Sequence, residues 1–180
     1  MRHITVITPL NRLARLCWAA VYFSLFRFTP VPFHGFRRLI LRCFGASISN
    51  SARIYPSCHI WAPWNLRMGA RTTLGSHVIC YNVDRVELLE RSIVSQYSHL
   101  CTASHDYESV DFETVAEPIM IGPRAWVAAD SFIGMGVHVG DSAIVGARAV
   151  VFRDVEPYTI VGGNPARVLK RRAGASNQAA

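Results

Sequence analysis

The chain has 180 residues, 51% of them hydrophobic, and a formal net charge of +7, which suits one domain with a buried core. The charge is uneven: residues 1–45 carry seven arginines and no acid, and all twelve acidic residues lie between Asp84 and Glu156. Basic ends suit anionic lipid headgroups or a phosphorylated ligand. Nucleic acid is not an expected partner, because no nucleic-acid-binding motif accompanies the charge.

Two helices are predicted in an amphipathic leader, residues 1–45. The first starts at Thr8-Pro9, with threonine as N-cap and proline at the first helical position, and ends near residue 27. Its uncharged apolar stretch of eleven residues is too short to span a bilayer. This helix is therefore expected either to lie on a membrane surface or to pack on the domain or a neighbouring subunit. The second covers residues 34–44, where apolar residues recur at helical spacing.

A six-residue repeat dominates residues 46–156. The repeat comprises fifteen hexads. Two two-residue insertions, Leu66-Arg67 and Val86-Glu87, and an excursion at 106–120 interrupt it. An apolar residue opens every hexad: Ile48, Ile54, Ile60, Met68, Leu74, Cys80, Leu88, Val94, Leu100, Ile121, Val127, Ile133, Val139, Val145 and Val151. A period of six is typical of a parallel β-helix, in which three hexads close a triangular coil. The sequence predicts an all-β core of about five coils, roughly 24 Å tall.

The five cysteines include no C-x-x-C pair, which indicates buried, reduced thiols in a cytoplasmic protein rather than a disulfide framework. Cys58 and Cys80 fall on inward hexad positions and are expected in the core.

The excursion at 106–120 is acidic and breaks an otherwise strict repeat. Such an excursion is usually functional, so it is the first place to expect chemistry. The segment after the last hexad, 157–180, is expected to cap the coils; it carries four basic residues at 167–172 and ends in a low-complexity tail, 173–180, expected to be flexible.

Three stretches carry a family resemblance: the hexads, TASHDYES (102–109) and GARAVVFRDVEPYTIVGGNPARVLKRR (146–172). Over about residues 45–172 the chain resembles the left-handed β-helix O-acetyltransferases, in particular the colanic-acid-type exopolysaccharide enzymes related to maltose and galactoside acetyltransferases. The leader sequence HGFRRLILRCFGA (34–46) also resembles that subgroup. The resemblance implies a left-handed coil, a homotrimer with acetyl-CoA between neighbouring subunits, and acetyl transfer to a sugar hydroxyl without a metal.

The resemblance also implies residues on the acceptor side. His105 matches the family's general base at the start of the excursion, and a neutral imidazole is competent to take a hydroxyl proton near neutral pH. Asp106 is a candidate to orient that imidazole. Asn82 lies near the family's acceptor-side asparagine, and it is equally suited to serving its own turn.

Seven residues are expected at the acetyl-CoA site by the resemblance: Trp126, Ala129, Gly146, Ala147, Arg153 (which replaces a typical lysine of the family), Lys170 and the neighbouring Arg167. The tryptophan is expected to pack on the pantetheine arm or on the neighbouring subunit. Ala129 stands where relatives can carry a serine, so only its backbone N–H can assist the oxyanion. The two small residues that follow permit close approach of the coenzyme, and the three basic residues are expected near its phosphates.

The sequence is compatible with two classes of acceptor. A lipid-linked oligosaccharide of exopolysaccharide assembly would explain the basic, apolar leader (residues 1–44) as a peripheral contact at the inner face of the membrane. A small free acceptor, such as a simple sugar or an antibiotic, is the alternative. Two rivals share the fold: a zinc carbonic-anhydrase-like enzyme with His77, His99 and His105 as ligands, and a scaffold without turnover.

Overall fold

The computed structural model describes residues 2–3 and 8–172; the predicted flexible tail at 173–180 lies outside the described residues. The hexads form a parallel β-helix with three flat faces. Face 1 holds the strands Ser47–Ile48, Leu66–Met68, Val86–Leu88, Ile119–Ile121 and His138–Val139. Face 2 holds Arg53–Ile54, Thr73–Leu74, Ile93–Val94, Trp126–Val127, Ile144–Val145 and Thr159–Gly162. Face 3 holds His59–Ile60, Ile79–Tyr81, His99–Cys101, Phe132–Ile133 and Val150–Val151.

The predicted register of the hexads is confirmed. Ile48 pairs with Met68 and Met68 with Leu88, so each first position stacks on its counterpart one coil earlier. Leu88 pairs with Ile121, so the register continues across the excursion. All fifteen first-position side chains are at most 6% exposed. Burying one such side chain stabilises the fold by roughly 1.5–3 kcal/mol, so this inner column holds the coils together.

The insertions are placed differently from the prediction. Leu66 and Val86 are completely buried in three-residue strands, because a residue two positions before an inward side chain also points inward. The extra residues are accommodated at the preceding corner, in the first coil by a 3₁₀ turn at Pro63–Asn65. This corner, where the chain passes from face 3 to face 1, is called the 3/1 edge below. The corner between face 2 and face 3 is called the 2/3 edge.

Both predicted leader helices are confirmed. Helix α1 spans Pro9–Val21 and continues as a π-helical turn at Tyr22–Phe26, and the Thr8 hydroxyl oxygen accepts from the Asn11 N–H at 3.2 Å. Helix α2 spans His34–Cys43. Buried side chains from both helices join one hydrophobic core with the first coil.

The leader also caps the open end of the β-helix. In later coils the first-position carbonyl groups accept hydrogen bonds from the preceding coil, but the first coil has none before it. Its three first-position carbonyl oxygens accept from leader side chains: Arg42 Nε to Ile48 (3.0 Å), Arg37 Nε to Ile54 (2.7 Å) and Trp18 Nε1 to Ile60 (2.7 Å). A buried carbonyl without a donor costs about 1–3 kcal/mol. These arginines therefore act in the fold rather than as a free basic surface.

The excursion is a hairpin that leaves at the 3/1 edge. Its strands, Ala103–His105 and Thr114–Ala116, pair antiparallel, and Arg2–His3 adds a third strand beside the second. The predicted bounds of 106–120 are thus shifted, because Ile119–Ile121 already belongs to face 1. At the other end, Arg167–Arg171 pairs antiparallel with Thr159–Gly162 and closes the last coil.

The cysteines are free thiols, and only part of the burial prediction is confirmed. Cys58 and Cys80 are fully buried, and burial raises the pKa of the Cys80 thiol to about 12. Cys17 and Cys43 lie exposed on the outer sides of the leader helices, against the expectation.

Candidate active site

His105 ends the first strand of the hairpin and is exposed. Its Nδ1 lies 2.6 Å from the carbonyl oxygen of Phe112, on the returning limb of the hairpin. A carbonyl group can only accept, so Nδ1 carries the hydrogen and Nε2 is the ring nitrogen that can take a proton. The hairpin thereby fixes both the tautomer and the orientation of a candidate general base.

The side chain of Asp106 has a different partner from the predicted one. Its Oδ1 accepts from the Glu108 N–H at 3.0 Å, and its backbone N–H donates to the Glu113 carbonyl at 2.8 Å. Asp106 therefore shapes the turn of the hairpin, while the carbonyl of Phe112 contacts the imidazole. Sequence reasoning missed Phe112, because a backbone carbonyl seven residues away leaves no signature in residue type.

Asn82 is completely buried at the 3/1 edge. Its Oδ1 accepts from the Ala62 N–H at 3.0 Å, and its Nδ2 donates to the Ala62 carbonyl at 2.6 Å. Both polar atoms of the amide thus join two successive coils. Of the two roles left open by the sequence, this geometry is that of a turn residue.

Four of the predicted coenzyme residues lie along face 2 and the 2/3 edge. Trp126 projects from face 2, is 45% exposed and donates from Nε1 to the Ser95 hydroxyl at 2.9 Å. Ala129 and Gly146 occupy equivalent turns one coil apart, and Ala147 is exposed beside the latter. A Cβ on Gly146 would lie 3.1 Å from the Val161 carbonyl oxygen, so glycine permits close packing of the coils there.

The predicted phosphate-binding residues gather near the last coil. Arg153 and Arg167 line one groove of about 410 Å³, which is also bounded by Phe152 and Pro165. Lys170 lies on the exposed outer strand beside that groove and pairs with Ile160. Two of the three predicted basic residues are therefore brought together, in a groove large enough for part of a ligand.

The base and the coenzyme residues lie on different edges of one chain. The hairpin that carries His105 leaves the 3/1 edge, whereas Ala129 and Gly146 lie at the 2/3 edge. Face 3 separates the two edges. A side of six extended residues is about 20 Å wide, so a single chain does not bring the two sets together.

The three histidines considered as zinc ligands lie apart. His77 stacks on Tyr97 at the 2/3 edge, with ring centroids 5.0 Å apart. His99 packs edge-on against Phe132 on face 3, where burial lowers the pKa of its imidazole. His105 lies on the hairpin. Across residues 2–3 and 8–172, no group of three or more His, Cys, Asp or Glu side chains is arranged to hold a metal ion.

Comparisons with known proteins place the fold and the family. No protein-family model matches the chain. Two solved structures superpose on it: a maltose O-acetyltransferase from Clostridium difficile 630 (TM-score 0.81, 22% identity, 92% of this chain and 90% of that one) and the hexapeptide-repeat acetyltransferase VCA0836 of Vibrio cholerae with acetyl-CoA (TM-score 0.82, 24% identity, 94% and 93%). They confirm a left-handed β-helix.

A protein of Escherichia coli K12 named as the colanic acid biosynthesis acetyltransferase WcaF is 39% identical over 155 residues, which are 86% of this chain and 85% of that protein. Identity at this level over nearly the whole length, together with the fifteen hexads in register, establishes the family. The chain belongs to the hexapeptide-repeat acetyltransferases.

Proposed function

We propose that this protein transfers an acetyl group from acetyl-CoA to a sugar hydroxyl in exopolysaccharide assembly, with His105 as the general base. The hydrogen bond between Nδ1 of His105 and the Phe112 carbonyl carries this proposal. It leaves Nε2 free to accept a proton and supports the imidazolium that forms when it does. An imidazole held in one orientation by a third group is one arrangement that activates a hydroxyl nucleophile.

In the proposed reaction, Nε2 of His105 takes the proton of the acceptor hydroxyl as its oxygen attacks the thioester carbonyl carbon. A C–O bond forms and the carbonyl becomes a tetrahedral oxyanion, for which the Ala129 backbone N–H is the candidate donor. Collapse of this intermediate breaks the C–S bond. The proton then passes from the imidazolium to sulfur, so the products are the acetyl ester and CoA thiol. Asp106 and Asn82 hold the hairpin and its neighbouring turn in place.

This reaction needs both substrates bound at once and no covalent enzyme intermediate. Initial rates measured over a matrix of acetyl-CoA and acceptor concentrations should therefore give intersecting double-reciprocal lines. Parallel lines, the pattern of a ping-pong mechanism, would contradict direct attack.

The separation of the two edges supports a homotrimer in which each site is shared. The coenzyme would lie along Trp126 and Gly146 of one subunit, with its phosphates near Arg153, Arg167 and Lys170. The neighbour would supply His105. The tip of the acidic hairpin exposes Tyr107 (78%), Val110 (94%) and Phe112 (59%), and an exposed apolar tip fits insertion against a second subunit.

Mixed trimers test the shared site. His105→Ala removes the base, and Ala147→Arg places a bulky side chain where the coenzyme would approach. Each variant alone should be inactive, and a one-to-one mixture refolded together should regain about a quarter of wild-type activity, because about one interface in four pairs an intact base with an intact coenzyme surface. A mixture that stays inactive, with trimers present by light scattering, would contradict sharing.

The proposed acceptor is a lipid-linked oligosaccharide at the cytoplasmic face of a membrane. Helix α1 buries Trp18, but the helix and the π-helical turn that continues it expose an apolar stripe on the other side: Leu10, Leu13, Leu16 and Phe23, each at least 56% exposed. No helix in the described part of the chain has the length and apolarity to cross a bilayer. A helix of this kind suits the interface between headgroups and acyl chains.

Charge has a smaller part in this contact than composition suggests. Arg37, Arg38 and Arg42 donate to carbonyl groups of the first coil, and the Arg15 guanidinium lies 4.4 Å from the centre of the Trp61 ring. Arg12 and Arg27 are exposed beside the stripe. Binding to phosphatidylglycerol–phosphatidylethanolamine vesicles should therefore persist at 0.5 M salt, where the screening length is only about 4 Å.

The double variant Leu13→Ser/Phe23→Ser should lose that vesicle binding, since two exposed apolar anchors are removed. Leu169→Ser, an equally exposed leucine on the last strand, is the matched control. Co-sedimentation of the double variant at the wild-type level would contradict the membrane contact, and a change in its oligomeric mass would assign the stripe to another subunit.

A further inference from the structure

A groove of about 530 Å³ lies along face 2 and the 2/3 edge of the second and third coils. One wall is aromatic, formed by His77 and Tyr97, and the remainder carries small polar side chains, among them Thr73, Ser76 and Gln96. Its volume falls within the range of about 300–1,000 Å³ typical of small-molecule sites. None of these residues has a role in the reaction described above.

The two rings of the aromatic wall support each other by stacking, and backbone hydrogen bonds hold the turns that carry them. The two rings are stacked 5.0 Å apart with planes only 4° from parallel, which matches the rise of one coil. The backbone beneath them is also fixed, because the His77 N–H donates to the Ser57 hydroxyl and the Tyr97 N–H to the Ser76 carbonyl. Even so, Tyr97 is 58% exposed. A preorganised, exposed aromatic pair binds a ligand without first losing side-chain freedom.

The groove adjoins the predicted coenzyme surface. Ser95, in its lining, accepts the hydrogen bond from Trp126 Nε1 at 2.9 Å. The Asp130 N–H donates to the Gln96 carbonyl, so the turn that holds Ala129 is the next one along the same edge. One coil is about 4.8 Å, which is on the scale of a single sugar ring. The groove therefore lies one sugar unit from the proposed position of the thioester.

We infer that this groove, walled by His77 and Tyr97, binds the acceptor sugar that receives the acetyl group. The inference rests on the proposed function and assigns the acceptor to the second and third coils and the coenzyme to the fourth and fifth. A sugar offers apolar C–H surfaces for the rings and hydroxyl groups for Thr73, Ser76 and Gln96. Tyrosine suits such a site because it combines an apolar body with a polar tip.

The test measures glycoside binding separately from coenzyme binding. The CoA-saturated protein is titrated with methyl glycosides of galactose, glucose, fucose and glucuronic acid, and saturation-transfer NMR measures the binding of each glycoside. We expect Tyr97→Ala to weaken glycoside binding about tenfold or more, and Tyr97→Phe to keep most of it. Arg91→Ala is the matched control, because Arg91 (φ 60°) and Tyr97 (φ 62°) occupy equivalent turns on different edges, so both variants place alanine in the same backbone conformation.

CoA affinity by calorimetry should be equal in all four proteins. Glycoside affinity of Tyr97→Ala equal to that of the wild type would overturn the inference, as would wild-type protein that binds CoA but none of the four glycosides. A parallel loss of CoA affinity in Tyr97→Ala would reassign the groove to the coenzyme, and a changed oligomeric mass would reassign it to a neighbouring subunit. Failure of the wild type to bind CoA would instead contradict the proposed function itself.

Discussion

Replacing Arg37 by methionine tests whether the leader caps the β-helix. Arg37 is completely buried, and its guanidinium donates to the Ile54 carbonyl (2.7 Å), the Thr29 hydroxyl (2.7 Å), the Pro30 carbonyl (2.8 Å) and the Val31 carbonyl. The side chain thus ties the linker between α1 and α2 to the first coil. Methionine keeps the length and apolar stem but supplies no donor.

The expected loss follows from the environment of each acceptor. Leaving the buried Ile54 carbonyl without this donor costs about 1–3 kcal/mol, and the part-buried bonds to Pro30 and Val31 contribute about 1 kcal/mol each. The Thr29 hydroxyl keeps its bond to the Phe26 carbonyl (2.8 Å), so its contribution to the loss is small. His34 Nδ1 also lies 2.9 Å from the Ile54 oxygen and offsets part of the first loss. We expect the free energy of unfolding to fall by about 3 kcal/mol, a large share of the 5–15 kcal/mol typical of a folded domain.

The assay is urea unfolding monitored by circular dichroism. All variants are compared at one protein concentration, because assembly shifts apparent stability. Arg38→Met loses one part-buried hydrogen bond, to the Ala52 carbonyl, and should cost about 1 kcal/mol. Arg12→Met, at an exposed position, should cost nothing measurable. An Arg37→Met midpoint equal to that of Arg12→Met would refute the capping argument.

Two further predictions concern the coils. Burial lowers the pKa of His99, so the unfolded chain binds more protons and stability should fall as pH drops below about 6.5. His99→Gln should make the urea midpoint less dependent on pH between 7.5 and 5.5, and a dependence as steep as that of the wild type would contradict this prediction. A Cβ on Gly140 would lie 2.5 Å from the next coil's backbone, so Gly140→Ala should cost about 2–3 kcal/mol. Gly35→Ala in α2, with its nearest contact at 3.6 Å, should be neutral or stabilising by up to about 1 kcal/mol; equal midpoints for both glycine variants would contradict the packing argument.

The coils could be predicted because their determinants are local and repeat. An apolar residue every six positions specifies which side chain points inward, and pairing with the next coil then follows, as for Ile48 with Met68. The strand Thr159–Gly162 was not predicted, because it follows a break in that period: Val161 pairs with Val145, sixteen residues earlier, whereas Val145 pairs with Val127, eighteen residues earlier. The assignment of Leu66 to a strand likewise depends on the conformation of the preceding corner, where Pro63–Asn65 forms a 3₁₀ turn.

The site was less predictable, because its contacts are made by backbone groups and by distant segments. His105 was assigned through resemblance to a family, and its role as a base stays a prediction. The carbonyl of Phe112 contacts its imidazole only because the hairpin pairs residues 103–105 with residues 114–116. The charge of Arg37 suggested lipid or phosphate binding, but its partners are carbonyl groups that only the folded coil presents.

The central claim, that His105 is the general base of an acetyl-CoA-dependent sugar O-acetyltransferase, is tested most directly by comparing His105→Ala with the wild type. Transfer of labelled acetyl from acetyl-CoA to extracted lipid-linked glycans is measured together with acetyl-CoA affinity by calorimetry. The account predicts equal affinity and a rate about 10²–10⁴-fold lower in the variant, the usual contribution of general-base catalysis. A variant that transfers acetyl at the wild-type rate would contradict it.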